Sequence, residues 1–283
     1  MKILSFDIED WWVYNYYNIG NIDDWLPRID NYLSKTLDLL DERSIKATFF
    51  ILGEVAKHYP EVVKRIAKRG HHIGCHSFSH NFLGKCNREA VIKDTQRAIA
   101  SIEDCIGYKV NAYRAPAFSI TEKNKWVLEI LVENGIKYDC SIFPAVRSFG
   151  GFPTYPVQSP SIIEISGYKI KEFPMSPVTI MGHKFIYSGG GYFRLFPYWK
   201  IKSLAKNSDY VMTYFHIKDF DKGQKKRFHS LENESAAVRY MKNYYGLKTC
   251  FDKFCKFVSD FDFVSVETAD KQINWNELSV IKL

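Results

Sequence analysis

Short apolar runs alternate with helix-spaced apolar positions along most of the chain. Lys2 to Asp7 reads as a first strand, and Ile29, Leu33, Leu37 and Leu40 recur three to four residues apart, which predicts a helix up to Glu42. Ala47 to Leu52 is a continuous apolar run closed by Gly53, the pattern of a buried strand. Val55 to Arg69 predicts a second helix, with Pro60 early in it and Gly70 as its stop, followed by a short strand from His72 to Cys75. The same alternation continues with a helix over Ala90 to Ile106, a strand over Val110 to Tyr113, a helix over Trp126 to Asn134 and a strand over Ile136 to Ser141. Tyr210 to Phe215 predicts a strand, Ala236 to Val258 a long helical region, and Phe263 to Val266 a last strand. Roughly seven strand and helix units in this order predict an α/β fold with a parallel sheet or barrel.

One stretch breaks the alternation. Between residues 144 and 197, Gly150-Gly151, Pro153, Pro156, Pro160, Pro174, Pro177 and Gly189-Gly190-Gly191 punctuate short β-like segments. Prolines at this density cannot sit in a central ladder, so hairpins and loops inserted into one catalytic domain spanning 1–283 are expected here. The triple glycine lacks a following Gly-Lys-Ser/Thr, so a tight turn is expected in place of a phosphate cradle.

Composition narrows the class. With 46% apolar and 25% charged residues over 283 positions, the chain can bury a large core, and disorder is excluded. The net charge of +7 is spread along the sequence apart from one dense basic run, Lys222 to Arg227, which reads as a solvated loop; no nucleic-acid partner is expected. Six cysteines form no CxxC pair, and the chain starts with a strand in place of a signal peptide's apolar stretch. Reduced thiols, a cytoplasmic location and no integral membrane segment are therefore expected.

Candidate chemistry sits where apolar runs end, because ligands in parallel α/β folds collect at the C-terminal ends of strands. Asp7-Ile8-Glu9-Asp10 places three acids within four positions after a buried strand, a costly arrangement that a bound cation would relieve. His76-Ser77-Phe78-Ser79-His80 puts two imidazoles at a spacing that suits a divalent metal, and two His with one carboxylate leave a coordination position open for water. Cys75 points to the opposite face from His76 and reads as core. Three further endings each carry one ionisable residue: Tyr113-Arg114-Ala115-Pro116, Tyr138-Asp139-Cys140-Ser141 and Tyr214-Phe215-His216. An Arg beside a carboxylate holds it ionised, and an Asp beside a His raises the imidazole so that it can donate a proton.

Taken in order, these five motifs resemble the polysaccharide deacetylase family, carbohydrate esterase family 4 or the NodB-homology domain, across nearly the whole chain. The resemblance implies a distorted, incompletely closed (β/α)7 barrel. It also implies Asp7 as general base, Arg114 as the residue holding Asp7, and His216 as general acid tuned by Asp139. His76 and His80 become ligands of a divalent metal, Zn2+ being the expected one. The family's commonest first motif has two adjacent Asp, base then ligand. Here strand alternation favours Glu9 as third ligand, and Asp10 stays open if the strand ends at Ile8. A backbone N–H near Tyr113 to Pro116 is expected to face the reacting oxygen. Trp12, Tyr113, Pro116, Tyr192 and Arg194 are the expected substrate contacts, the aromatics by stacking on sugar faces and Arg194 by meeting an anionic group.

Phe173 to Pro177 and Ser188 to Pro197 resemble a subgroup near the allantoinase-like and peptidoglycan deacetylase-like members, associated with exopolysaccharide gene clusters. The activity implied is metal-dependent N-deacetylation of an amino-sugar-containing saccharide, or of its lipid- or nucleotide-linked precursor, in surface polysaccharide biosynthesis. Two alternatives stay open at this point: an allantoinase-like amidohydrolase acting on a small cyclic amide, which the split first motif allows, and a non-catalytic saccharide-binding barrel.

Overall fold

Leu4, Phe6 and Ile8 alternate with Ser5, Asp7 and Glu9 at the start of the chain, and both sets are buried. A strand sends successive side chains to opposite faces. Here the apolar set enters the main core and the polar set turns to the other side, where the candidate chemistry lies. A computed structural model describes residues 1–9, 26–147, 150–224 and 235–283.

The elements run β1 (Lys2–Ile3), β2 (Ser5–Ile8), α1 (Leu26–Glu42), β3 (Thr48–Ile51), α2 (Gly53–His58), α3 (Pro60–Lys68), β4 (His72–Cys75), α4 (Arg88–Ile106), β5 (Ala112–Tyr113), α5 (Val127–Glu133) and β6 (Tyr138–Asp139). They continue with β7 (Ser161–Ile165), β8 (Tyr168–Glu172), β9 (Val178–Ile180), β10 (His183–Phe185), α6 (Gly190–Leu195), α7 (Tyr198–Lys206), β11 (Val211–Met212) and β12 (Phe215–His216). The last elements are α8 (Ala236–Tyr244), α9 (Leu247–Asp260), α10 (Val266–Gln272) and β13 (Val280–Lys282). The main sheet has the order β12-β2-β3-β4-β5-β6-β8-β7-β13. Its members from β12 to β8 are parallel, β7 is antiparallel to β8, and β13 lies parallel to β7. The edge strands β12 and β13 do not pair with each other, so the wall stays open. This is the distorted, incompletely closed (β/α)7 barrel.

Departures from the sequence pattern have local causes. The helix expected over Val55 to Arg69 is two helices, because Pro60 offers no N–H and disfavours helical backbone at Tyr59, whose φ and ψ are −136° and 56°. The long helical region after Ala236 breaks at Gly246, which has φ 75° and whose missing Cβ would lie 2.5 Å from the Arg194 carbonyl oxygen. The hairpin β7–β8 is not an excursion from the barrel, since β8 lies beside β6 as the next parallel stave. The expected last strand reduces to a single bridge between Ile3 and Val264, after which Ser265 caps α10.

Phe6 pairs in register with Phe215, and Asp7 with His216. Behind them Phe6 stacks on Phe49 at 4.8 Å, and Phe254 of α9 meets Phe6 at 5.7 Å and Phe215 at 5.2 Å. Each fully buried ring stabilises the fold by about 2–3 kcal/mol. Their common packing fixes the strand ends that carry Asp7 and His216 relative to one another. No helix among the described residues is long and apolar enough to cross a membrane.

Candidate active site

Arg114 follows β5 and is fully buried beneath the ends of β2 and β12. Its Nη1 donates to Asp7 Oδ1 at 2.8 Å and its Nη2 to Ser5 Oγ at 2.8 Å, while the Phe50 ring lies 4.2 Å from the guanidinium carbon. Ser5 and Asp7 share a face of β2, so one planar fork reads both. The arrangement holds Asp7 in place while its second oxygen points toward His216 Nε2 at 3.8 Å.

The segment after β4 carries the two imidazoles in a bent loop. Ser77 and His80 have φ 67° and 56°, left-handed backbone that costs energy in residues with a Cβ and is held by surrounding bonds. The Asp94 carboxylate of α4 accepts from Phe78 N at 2.8 Å and Ser79 N at 3.3 Å, and Ser77 Oγ accepts from His80 N at 3.1 Å. His76 Nδ1 donates to the Arg114 carbonyl at 2.7 Å, which leaves the Nε2 lone pair facing Glu9. Glu9 Oε2 lies 2.6 Å from His80 Nε2 and 3.5 Å from His76 Nε2. Glu9, His76 and His80 are all buried, and their donor atoms fall within 4.8 Å of one another. Two imidazole nitrogens and one carboxylate oxygen, one imidazole with its tautomer fixed from behind, fit a divalent ion in an open catalytic site.

The electrostatics agree with the donor set. Burial alone would raise the Glu9 carboxyl, but His80, Lys218 and His76 hold it well below the ordinary carboxylate range. Burial opposes a charged His76, yet Asp7 and Glu9 raise it, whereas burial wins at His80 and lowers it. Buried Cys75 has its thiol pushed up by desolvation and stays a core residue.

His216 ends β12 with Nε2 at 3.3 Å from Glu9 Oε1 and Nδ1 at 3.2 Å from Asp219 Oδ2. The carboxylate beside His216 is therefore Asp219, three residues on in a 3-10 turn, in place of the expected Asp139. Arg194 forms a buried ion pair with the other Asp219 oxygen and also donates to the carbonyls of Lys242 and Tyr245. Burial would raise Asp219, but Arg194 and then His216 hold it low. Arg194 thus clamps Asp219, and the expected contact with an anionic substrate group gives way to this buried role.

Asp139 faces Glu172, its register partner on β8, and both are fully buried. Ser141 Oγ donates to Asp139 Oδ1 at 2.5 Å and Ile142 N to Glu172 Oε1 at 3.2 Å. Asp139 Oδ2 and Glu172 Oε2 have no other donor, so a proton shared between the carboxyls satisfies both. Burial, then the Asp139 charge, pushes Glu172 well above the ordinary range, and burial raises Asp139. A raised folded value favours folding less as pH climbs from the ordinary carboxyl range through that value, by about 1.4 kcal/mol per pH unit for one group. Glu172→Gln, whose amide can donate to Asp139 permanently, should flatten this decline and keep thermal stability at pH 8 equal to or above that of the unchanged protein. A variant several degrees less stable at pH 8 would remove the shared proton.

Other expected residues are placed as follows. Tyr113 alternates with Arg114 and turns away from the site, fully buried with its hydroxyl toward Thr95 of α4, so it is core and not a substrate contact. Pro116 is buried at the start of a 3-10 turn. Arg114 N and Ala115 N are bonded to the Cys75 carbonyl and the Ser141 hydroxyl, so these two backbone donors are occupied. Tyr192 is 39% exposed and packs on Phe185 and Phe196. Asp10 and Trp12 lie outside the described residues. Sequence reasoning missed Lys218, whose Nζ donates to Glu9 Oε1 at 2.9 Å, together with Asp219 and Glu172. The polar run His216-Ile-Lys-Asp219 directly after an apolar strand was the available signal.

A family model described as polysaccharide deacetylase matches residues 19–138, and a model described as a domain of unknown function, DUF3473, matches residues 140–271. His76, His80 and Arg114 fall in the first match and Arg194, His216 and Asp219 in the second. A peptidoglycan-N-acetylglucosamine deacetylase of Bacillus cereus is 38% identical over 99 residues, 35% of this chain and 36% of the relative. A chitooligosaccharide deacetylase of Rhizobium leguminosarum bv. trifolii is 43% identical over 68 residues, 23% of this chain and 32% of the relative. The chain thus spans about a third of the length of these relatives. Among solved structures, a Mycobacterium smegmatis protein named after the polysaccharide deacetylases superposes with TM-score 0.64 at 18% identity, covering 100% of this chain and 92% of that one. A carbohydrate esterase 4 family pseudoenzyme from Bacillus anthracis superposes with TM-score 0.50 at 14% identity, covering 95% and 64%. Both likenesses concern the fold.

Proposed function

The chain belongs to the polysaccharide deacetylase family, and on that premise we propose that it is a metal-dependent hydrolase removing the acetyl group from an N-acetylated amino sugar. The observation that carries this reading is the convergence of Glu9, His76 and His80 beside two further groups of opposite function, Asp7 on Arg114 and His216 on Asp219. A divalent ion held by Glu9, His76 and His80, for which Zn2+ suits two imidazoles and one carboxylate, supplies Lewis acidity toward an amide carbonyl and acidifies a water molecule. Asp7, held in place by Arg114, accepts the proton of the attacking water. Asp219 holds His216 through Nδ1, so that Nε2 delivers a proton to the departing amine as the carbon–nitrogen bond breaks and acetate leaves. Burial of Glu9, His76 and Arg114 keeps the charges strong by excluding bulk water.

An amino-sugar substrate is supported by the names of the relatives, and a lipid- or nucleotide-linked precursor of a surface polysaccharide is the finer form of the reading. Six unpaired cysteines support work in a reducing compartment, the cytoplasm. The test is acetate release by the Zn2+-loaded protein from chitooligosaccharides, peptidoglycan fragments and N-acetylated nucleotide sugars, repeated after chelation and after adding the ion back. Release that stops with chelator and returns with Zn2+ is expected. Absence of release from every class would overturn the activity, and release indifferent to chelator would overturn the metal dependence.

A further inference from the structure

Glu9 divides its two carboxylate oxygens between different neighbours. Oε2 faces His76 and His80, whereas Oε1 accepts from Lys218 Nζ at 2.9 Å and lies 3.3 Å from His216 Nε2. Lys218 is 7% exposed, on the 3-10 turn that follows His216, and Gln224 Nε2 donates to its carbonyl at 2.8 Å. A lysine ammonium is costly to bury, and one beside a site for a dication is more so, because like charges at close range in a water-poor interior repel strongly. A site selected only for tight metal binding would carry a neutral donor there.

We propose that Lys218 is a positioning residue that serves as resident counter-cation to Glu9: it keeps the carboxylate seated when the metal is absent, fixes it as a one-oxygen ligand, and lowers the site's affinity for the ion. The inference rests on the metal reading above and adds to it a residue outside the donor set. The charge balance follows directly. Without a metal, Glu9 is a buried anion that accepts directly from the Lys218 ammonium, so removing the ammonium leaves that charge less compensated and the metal-free fold weaker. With a metal, the ion neutralises Glu9 and the ammonium becomes a net repulsion, so removing it tightens binding. A residue needed only for packing would shift both properties in the same, unfavourable direction.

The test compares the unchanged protein with Lys218→Met and with Lys218→Gln, which keeps an N–H donor for Oε1 but no charge. Zn2+ affinity is measured by competition with a chromophoric chelator, and thermal unfolding is followed with and without the ion. Expected are a Zn2+ dissociation constant at least tenfold lower in Lys218→Met, a lower melting temperature without metal, and a larger upward shift on adding metal. Lys218→Gln should show the same tightening with a smaller loss of metal-free stability. Unchanged or weaker Zn2+ binding in variants of a protein that itself binds Zn2+ would overturn the inference and leave the metal reading standing. Variants that stay unfolded even with Zn2+ would also overturn it, since the ion should replace the ammonium. Absence of binding in all three proteins would overturn both.

Discussion

His80→Ala is expected to abolish stable metal binding and acetate release together. His80 Nε2, at 2.6 Å, lies closer than His76 Nε2, at 3.5 Å, to the Glu9 oxygen that faces both imidazoles, and removing one of three proposed ligands is a larger change than altering an outer-shell partner, which already costs roughly 10- to 100-fold in affinity. Position 80 also has φ 56°, so alanine there keeps a strained backbone without the imidazole that the loop presents. The loop itself should persist, because Asp94, Ser77 and the strand pairing from β3 to β4 anchor it independently of the His80 ring. Calorimetric titration of Zn2+ into the metal-stripped variant and acetate release at saturating substrate provide the check. A variant that binds one equivalent of Zn2+ as tightly as the unchanged protein would take His80 out of the ligand set.

The difference between what the sequence disclosed and what it hid follows from range. Ser5, Asp7 and Glu9 are related by the two-residue period of a strand, a purely local rule, and that rule correctly places Glu9 on the face of Asp7. The order of strands and helices is likewise a local reading, and it leads as far as an α/β fold with a parallel sheet or barrel, the open seven-unit barrel being what the family resemblance implied. The same period rule, applied to Tyr113 and Arg114, would have turned Tyr113 into the core, since only one of two neighbours can face the site.

Pairings across the barrel obey no such rule. Asp139 meets Glu172 because β8, from the proline-rich segment, enters the sheet beside β6, and nothing local in either strand announces that neighbour. With Asp139 occupied there, the carboxylate for His216 comes from the turn immediately after it, anchored by Arg194 from 25 residues earlier. Arg194 looks like a surface residue in a glycine-rich loop, yet Gly191 and Gly246 allow α6 to approach the α8–α9 junction closely enough to bury its guanidinium. Lys218 carries no local signal, since a lysine in the turn after a strand is ordinarily solvated and only the fold brings it to Glu9.

Asp7→Asn should retain the metal and lose turnover. The donor atoms of Glu9, His76 and His80 do not include Asp7, so metal content by elemental analysis should match the unchanged protein. Asparagine keeps an oxygen that can accept from Arg114 Nη1, but its amide cannot take a proton from water, and loss of a positioned base lowers rates by about 10²- to 10⁴-fold. The change also removes the negative partner of a fully buried guanidinium, and breaking such a pair costs about 3–5 kcal/mol where nothing replaces it. Ser5 Oγ, the Thr213 carbonyl and the new amide oxygen still accept from Arg114, so the penalty should fall below that range. The kinetic comparison therefore belongs at a temperature well under the melting point of the variant, where the folded fraction is the same for both proteins. Under those conditions a fall in kcat with little change in KM assigns Asp7 to the proton transfer. Turnover within a few-fold of the unchanged protein, with metal in place, would assign the base role to another group, and His216, 3.8 Å away, would be the next to substitute.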